Sequence, residues 1–434
     1  MSFRFLLPVA LAILLPLSCS REGVPPARSV VLVSLDTLRA DRLGAYGNPT
    51  GTSPHLDRLA RRGVSFDRCI AQSTMTTPSH RSLFQSREAS AVSKQSPVLA
   101  ECFRDSGFAT AAFTGGGNIS AKLGFARGFD RSEETPDGLG RSIGLLDEWL
   151  DGVTGGRFFA FLHTYGVHLP YSPPSALEQR FDPGYKGDLR GDRTRVVCRQ
   201  IRRIKEYADF QGEVGLSEAD RRHLLALYDA EIRSVDSEVG RLLRLLDERD
   251  LAGRTVVAIA SDHGEEFFDH GSVLHSHTLY QELVHVPLIL RIPGGASGVR
   301  VPNAVRNLDI APTLLELAGV AAPESFRGVS LLRRVRGERP RALPAASEIR
   351  GMKSWIEDSW KVVSGPGGTE LFDLAADPGE TRNLAVTLPE KADSLLAAAA
   401  RALGSGMEEE VSDRPPEDLD PELADRLRAL GYID

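Results

Sequence analysis

The sequence carries no excess of positive charge and little cysteine. Its formal net charge at pH 7 is -7, with 59 acidic and 52 basic side chains. Proteins that bind nucleic acid usually present a basic surface, so we expect no nucleic-acid partner. Four cysteines occur, without a Cys-x-x-Cys pair or the Cys/His spacing of a zinc site. The sequence selects no disulfide pair, and we interpret Cys69, Cys102 and Cys198 as small apolar side chains.

A comfortable membrane-spanning segment is also missing. The most apolar stretch, residues 5–17, contains prolines and is shorter than the roughly 20 residues that a spanning helix needs. One Arg precedes it and a small residue precedes Cys19, which predicts a secretory signal peptide over residues 1–19. Cys19 also resembles a bacterial lipoprotein cleavage site, although Pro16 replaces the usual aliphatic residue. We therefore expect a periplasmic or cell-surface protein, either simply exported or tethered to a membrane through a lipidated Cys19.

Apolar, β-branched runs alternate with amphipathic patterns along the chain. Strand patterns occur at residues 29–35, 66–71, 108–114, 157–163, 255–260 and 286–292. Helical patterns occur at residues 53–62, 142–150, 224–246 and 310–318. Continuous apolar runs are typical of strands that are buried on both faces of a parallel sheet. The alternation therefore predicts an α/β fold with a wound, mostly parallel sheet.

The pattern changes beyond about residue 340, where short strands are predicted at 360–364 and 370–373. We predict a main domain over residues 28–340 and a small α+β subdomain over residues 341–400. Residues 401–434 read as an acidic, proline-containing linker and a terminal helix. A basic stretch at residues 186–205 is either solvated surface or a lid or rim for an anionic substrate.

Residues with metal-binding side chains follow two of the strand patterns. Asp36 follows the first, and Asp262 and His263 follow the run TVVAIA. Ligands of open α/β sheets bind beyond the carboxyl ends of the strands, although Asp36 could also simply start a turn. Thr76, two residues before Pro78, precedes a helical pattern, where it could cap the helix or lie in an anion-binding position. Together these four residues could bind one divalent metal, and oxygen with imidazole ligands favours Zn²⁺ or Mn²⁺.

This set of residues predicts ester chemistry. A metal lowers the pKa of a coordinated hydroxyl, so Thr76 could attack a phosphate or sulfate ester at neutral pH. The leaving group needs a proton, and His168 or His277 could supply it because imidazole titrates near neutrality. Other residues could support the ligands or bind substrate: His80, Arg81, His163, His270 and His275.

From residue 29 to about residue 385 the chain resembles the sulfatase family of the alkaline phosphatase superfamily. The matching motifs include VSLDTLRADRLGAYG, SPHLDRLARRGVSF, TTPSHRSLF, LHTYGVHLPYSPP, SDHGEEFFDHG and HTLYQELVHVPLIL, and the terminal LRALGYID is similar as well. The resemblance implies a large mixed sheet sandwiched by helices, with a small C-terminal sheet domain. It implies metal ligation by Asp36, Asp262 and His263, a nucleophilic Thr76 and an active-site His168; Ca²⁺ is a possible metal, as in sulfatases.

The sequence departs from the sulfatase pattern at the residues that carry the chemistry. Sulfatases have Cys or Ser at the position of Thr76 and oxidise it to formylglycine, and Thr cannot become that aldehyde, so no formylglycine is expected. His80 stands at the Arg position, and the neighbouring Arg81 would point about 100° away on a helix. Ser276 replaces the sulfate-binding Lys, and Thr164 stands where two-metal relatives have Asp. These changes favour phosphorus over sulfur and one metal over two.

Three functions remain open. The leading interpretation is an exported, metal-dependent ester hydrolase in which Thr76 forms a covalent phospho-enzyme or sulfo-enzyme. The second is a phosphotransferase to a lipid or glycan acceptor, although such relatives usually carry several membrane helices. The third is a degenerate protein that binds an anionic ligand without chemistry. In each case the expected partner is a small-molecule, glycan or lipid anion.

Overall fold

A computed structural model describes residues 27–153, 156–206, 215–338, 340, 342–403, 420–430 and 432. The predicted signal peptide, Cys19 and most of the acidic linker lie outside these ranges, so the interpretations that rest on them stay predictions. No helix in the described ranges has both the length and the apolar composition to cross a membrane. Cys69, Cys102 and Cys198 are free, and Cys69 and Cys198 are buried.

The described strands and helices alternate along the first three quarters of the chain. The strands are β1 (Ser29–Leu35), β2 (Val64–Ile70), β3 (Ala109–Thr114), β4 (Arg131–Glu134), β5 (Phe158–Thr164), β6 (Thr255–Ala260), β7 (Glu266–Phe267), β8 (Val273–Leu274), β9 (His285–Val286), β10 (Leu288–Arg291), β11 (Val299–Arg306), β12 (Ala345–Ile349), β13 (Met352–Glu357), β14 (Trp360–Gly365) and β15 (Gly368–Asp373). The helices are α1 (Pro54–Arg62), α2 (Thr76–Gln85), α3 (Leu99–Asp105), α4 (Leu139–Leu150), α5 (Ser175–Phe181), α6 (Asp192–Glu206), α7 (Glu218–Glu248), α8 (Gln281–Val284), α9 (Ile310–Leu317), α10 (Leu332–Val335), α11 (Pro389–Leu403) and α12 (Pro421–Leu430).

The main sheet has the strand order β11-β2-β10-β6-β1-β5-β3-β4, with β9 paired to β2. It is mixed but mostly parallel, because β10 runs antiparallel to both of its neighbours while β1 runs parallel to β5 and β6. Alternate residues of β1 face opposite cores: Leu32 packs with residues of α2, α3 and α9, and Val33 packs with residues of α1, α4 and α7. The predicted α/β class, with a large sheet sandwiched by helices, is therefore confirmed.

A small antiparallel sheet of order β12-β13-β14-β15 follows, with α11 packed against it. The first two of its strands were absent from the sequence prediction, and the boundary at residue 340 stays a prediction. A buried lysine joins this sheet to the main domain: Lys361 Nζ donates to the carbonyl oxygen of Leu279 at 2.5 Å and pairs with Glu380 Oε1 at 2.6 Å. The loop before α8 is thereby attached to β14.

Three local predictions differ from the structure. The strand pattern at residues 286–292 is divided at Pro287 into β9 and β10, because proline cannot donate a ladder hydrogen bond. The helix at residues 224–246 is longer, since Ser217 caps α7 and exchanges hydrogen bonds with Asp220. The basic stretch at residues 186–205 contains α6, which places Cys198 and Ile201 in the core below α7.

Candidate active site

The carboxyl ends of β1 and β6 bring three metal-binding side chains together. The two strands are parallel and in register, with Ser34 opposite Ala260, so the residues that follow them lie at one edge of the sheet. One ligand atom each from Asp36, Asp262 and His263 lies within 4.8 Å of the others, and all three residues are buried. The predicted grouping of the two aspartates with His263 is present in the structure.

These side chains fit a divalent cation. His263 Nδ1 donates to the carbonyl oxygen of Gly264 at 3.0 Å, which leaves the Nε2 lone pair facing Asp262 Oδ2 at 3.3 Å. Asp262 Oδ2 is buried and accepts no hydrogen bond from the described residues. A buried carboxylate oxygen and an imidazole lone pair that face each other are the donors a metal requires. With imidazole among the ligands, Zn²⁺ and Mn²⁺ remain the metals that we predict, ahead of Ca²⁺.

Thr76 is the first residue of α2 and is fully buried. Met75 occupies the cap position and the helix has no side-chain cap, so the alternative of Thr76 as a capping residue is not supported. Its Oγ1 instead lies 3.3 Å from His263 Nε2. Ser79, one turn further along α2, donates to the carbonyl oxygen of Asp262 at 2.7 Å. This bond holds the start of α2 against the end of β6.

His163 lies behind Asp36. The backbone N–H of Gly115 donates to its Nδ1 at 3.3 Å, so the proton of the neutral ring is on Nε2, which donates to Asp36 Oδ2 at 3.3 Å. Burial, with the nearby His80 and Arg426, holds the pKa of His163 well below its usual value. A neutral histidine that orients a ligating carboxylate is the arrangement that outer-shell partners of metal sites adopt.

His80 lies behind Thr76. Its Nδ1 donates to the carbonyl oxygen of Thr76 at 2.9 Å, and its Nε2 accepts from Ser34 Oγ at 2.8 Å. Burial lowers the pKa of His80, so the ring is neutral near pH 7. It supplies no positive charge at the position where sulfatases have Arg. Arg81 donates to the carbonyl oxygen of Leu123 and lines a surface cavity, so it is not a substitute at that position.

His275 and His168 form the wall of the site beside His263. His275 Nδ1 donates to Glu265 Oε1 at 2.7 Å, and its ring centroid lies 4.4 Å from that of His263 and 5.2 Å from that of His168. Burial and the nearby His275 lower the pKa of His168 to about 4, and burial also holds the pKa of His275 well below normal. A neutral His168 does not suit the predicted role of a ready proton donor, because the ring must first gain a proton.

Two predicted histidines have partners elsewhere. His277 Nε2 pairs with Glu266 Oε2 at 2.6 Å, and its role as proton donor stays a prediction. His270 Nδ1 pairs with Glu282 at 2.8 Å, its Nε2 faces the carbonyl oxygen of Glu380 at 3.3 Å, and its ring stacks on Tyr280. With an acceptor at each nitrogen, His270 is a structural imidazolium that attaches α8 to the loop before α11.

Tyr432 is a residue of the site that was not predicted from the sequence. The hydroxyl of Tyr432, next to the end of α12, lies 2.9 Å from Thr76 Oγ1 although 356 residues separate them. Its ring centroid lies 5.3 Å from that of His168 and 6.2 Å from that of His275. The similarity of LRALGYID to the family motif was the one available signal, because no local pattern marks a residue for so distant a contact.

Comparisons with known proteins show which family and fold this chain is similar to. The profile of the family described as Sulfatase matches residues 28–320. The Delta 4,5-hexuronate-2-O-sulfatase of Bacteroides thetaiotaomicron is 25% identical over 414 residues, which cover 82% of this chain and 84% of that protein. Arylsulfatase K of Homo sapiens is 31% identical over 194 residues, 40% of this chain and 36% of that protein. The phosphonate monoester hydrolase of Agrobacterium radiobacter has the same fold, with a TM-score of 0.72, 21% identity and coverage of 87% of this chain and 95% of that chain.

Substitutions at Asp36 and His163 test the metal site without an activity assay. Because outer partners of metal ligands contribute about 10-fold to 100-fold to affinity, His163→Gln should weaken Mn²⁺ or Zn²⁺ binding by about that factor. Asp36→Asn should weaken it further, because a ligand itself is lost. Calorimetric titration of metal-free protein measures both. Asp41→Asn is the matched control, since Asp41 pairs with Arg39. Equal affinity of the Asp36 and Asp41 variants would remove Asp36 from the site.

His270 predicts a pH dependence of stability. Burial alone would lower its pKa, but the hydrogen bond and charge of Glu282 outweigh burial and raise the pKa to about 9, from 6.5. The resulting stabilisation is fully present below about pH 6.5 and is lost as the pH rises through about 9. Urea unfolding from pH 6 to 10 should show this loss in the wild type and not in His270→Gln. A constant difference between the two proteins over that range would contradict the assignment.

Proposed function

The chain belongs to the sulfatase family and is a sulfatase-like ester hydrolase, and from that premise we propose that Thr76 is the nucleophile with which it cleaves anionic esters. The observation that carries the proposal is the position of Thr76 Oγ1, 3.3 Å from His263 Nε2 and beside the buried group of Asp36 and Asp262. Thr76 and the three proposed metal ligands fall within residues 28–320, the part of the chain that matches the family.

The metal-binding residues and Thr76 have separate roles in this proposal. A divalent cation held by Asp36, Asp262 and His263 would stabilise negative charge on the Thr76 oxygen and on the oxygens of the ester. The start of α2 holds Thr76 in place: Ser79 is bonded to the end of β6, and His80 accepts from Ser34 and donates to the Thr76 carbonyl. A nucleophile held in this way loses little freedom on reaching the transition state.

The reaction then has two steps. In the first, a bond forms between Thr76 Oγ1 and the phosphorus or sulfur atom, the bond to the alcohol oxygen breaks, and the hydroxyl proton of Thr76 passes to the leaving alcohol. In the second, water attacks the same atom, which restores the Thr76 hydroxyl and releases the inorganic anion or phosphonate. A neutral imidazole can accept and return the proton in each step. His168 and His275 are both neutral near pH 7 and line the site, so they suit this relay.

Phosphorus esters fit the residues of the site better than sulfate esters do. Thr cannot become formylglycine, so the covalent intermediate can be released only by attack of water on phosphorus or sulfur. His80 and Ser276 supply no positive charge at the two positions where sulfatases bind sulfate. We therefore propose phosphate or phosphonate esters as preferred substrates and sulfate esters as secondary ones. The names of the relatives support a glycan or small aryl alcohol as the group to which the ester is attached.

Replacement of Thr76 tests the nucleophile. Thr76→Ala should reduce kcat by more than about 1000-fold, because the covalent route is lost. The substrates for this test are nitrophenyl phosphate, bis-nitrophenyl phosphate, nitrophenyl phenylphosphonate and nitrophenyl sulfate. Thr76→Ser keeps a primary hydroxyl and should retain at least a tenth of the activity on the best ester. Metal content, measured on both variants, should remain close to that of the wild type. Turnover by Thr76→Ala at the wild-type rate would exclude a nucleophilic Thr76, and a wild type that binds metal but cleaves no ester would indicate a binding protein.

A further inference from the structure

The last described helix reaches the active site from the far end of the chain. Tyr432 follows α12, and its hydroxyl makes a 2.9 Å hydrogen bond with Thr76 Oγ1. The residues between α11 and α12 include the predicted acidic linker, and α12 packs against the main domain beside residues Gly117–Ile119. The described C-terminal residues, 420–430 and 432, therefore contribute a side chain to a site that is otherwise built from the first two thirds of the chain.

Several polar contacts hold α12 in this position. Lys122 Nζ pairs with Asp420 at 2.6 Å at the start of the helix. Arg195 Nη1, on α6, donates to the carbonyl oxygens of Arg428 and Ala429 at 3.1 and 3.0 Å at its end. A cation at the carboxyl end of a helix is stabilising, because the unpaired carbonyls and the helix dipole are both satisfied. Between these contacts, Arg426 Nε donates to the carbonyl oxygen of Gly115 at 3.0 Å.

Apolar contacts add to this attachment. Leu427 is fully buried and Leu430 is nearly so. Gly117 lies beneath the helix with φ 59°, a conformation that favours glycine, and a Cβ at that position would lie 2.7 Å from Leu430 Cδ1. The backbone N–H of Tyr432 donates to the carbonyl oxygen of Leu427 at 2.9 Å, which directs the chain back across the end of α12. The contacts of α12 thus hold the phenol of Tyr432 in position to reach Thr76.

We propose that Tyr432 contacts the substrate anion and donates a hydrogen bond to it during ester cleavage, an inference that rests on the proposed function of Thr76. Two bonds separate Oγ1 from the non-bridging oxygens of a phosphoryl group on Thr76, so a phenol that reaches Oγ1 also reaches one of those oxygens after a small rotation. The phenol needs no charge to donate. It takes over part of the anion binding that a sulfatase obtains from Arg and Lys, at whose positions this chain has His80 and Ser276.

The surroundings of the phenol support this role. His168 and His275 stand beside the ring, with centroids 5.3 and 6.2 Å away, and restrict its orientation. A donor that is already oriented toward the position of the developing charge stabilises a transition state without reorganisation at the moment of reaction. The opposite arrangement, in which the phenol occupies the place of the substrate and must leave before it binds, predicts the reverse effect of substitution.

The test compares Tyr432→Phe with Tyr185→Phe, which also removes one phenol hydroxyl but from a ring that is stacked on His223 and bonded to Asp220. Loss of one oriented donor should lower kcat/KM for the best ester about 100-fold in Tyr432→Phe. The dissociation constant of inorganic phosphate for Mn²⁺-saturated protein, measured by calorimetry, should rise about 10-fold, as expected for a hydrogen bond to a charged ligand. Tyr185→Phe should change both quantities by less than about twofold.

The two measurements separate this inference from the proposed function. A wild type that cleaves no ester contradicts the hydrolase proposal, and weaker phosphate binding by Tyr432→Phe would still support the contact of Tyr432 with an anion. Unchanged phosphate binding and unchanged kcat/KM in Tyr432→Phe would overturn the Tyr432 contact while the role of Thr76 stands. Faster turnover or tighter phosphate binding in Tyr432→Phe would also overturn it, because the phenol would then be an obstacle to the substrate.

Discussion

Two buried carboxylates at the ends of neighbouring parallel strands are the constraint on which this structure depends. Asp36 and Asp262 are at most 1% exposed, and a ligand atom of each lies within 4.8 Å of the other. Buried like charges are strongly unfavourable unless a cation or hydrogen-bond donors compensate them. His263 presents a lone pair to the same point and donates no proton there. A divalent cation is therefore the partner that we propose for this arrangement, and the sheet, α2 and the surrounding histidines place their side chains around that point.

The backbone that follows each of these strands has an unusual local geometry. Thr37, a β-branched residue, has φ 58° directly after Asp36, a strained conformation that is kept where surrounding contacts enforce it. Its N–H donates to Asp262 Oδ1 at 3.3 Å and its carbonyl accepts from Tyr228 at 2.7 Å. After His263, Gly264 passes so close to the carbonyl oxygen of Glu282 that a Cβ would lie 1.9 Å from it. These contacts fix the directions in which the two strand ends present their ligands.

The main sheet and the grouping of Asp36, Asp262 and His263 could be predicted from the sequence because apolar runs such as SVVLVSL and TVVAIA determine strand position and end. Parallel register then places the residues that follow at one edge. The helix in the basic stretch was missed because its apolar positions are few. The neutral state of His168 depends on its burial, and the charged state of His270 depends on Glu282. Neither burial nor such a partner can be recognised from the residues next to these histidines in the sequence. Only the similarity of LRALGYID to the family motif pointed to Tyr432, since its contacts are formed by tertiary packing.

We propose that Thr76, which cannot become formylglycine, occupies the position of the nucleophile and attacks through its hydroxyl. The most direct measurement is acid quenching of the wild type during turnover of its best ester, followed by peptide mapping by mass spectrometry. We expect one phosphoryl, phosphonyl or sulfuryl group on Thr76 in the peptide that contains it, present with substrate and absent without it. Steady turnover with an unmodified Thr76, or with the group on another side chain, would contradict it.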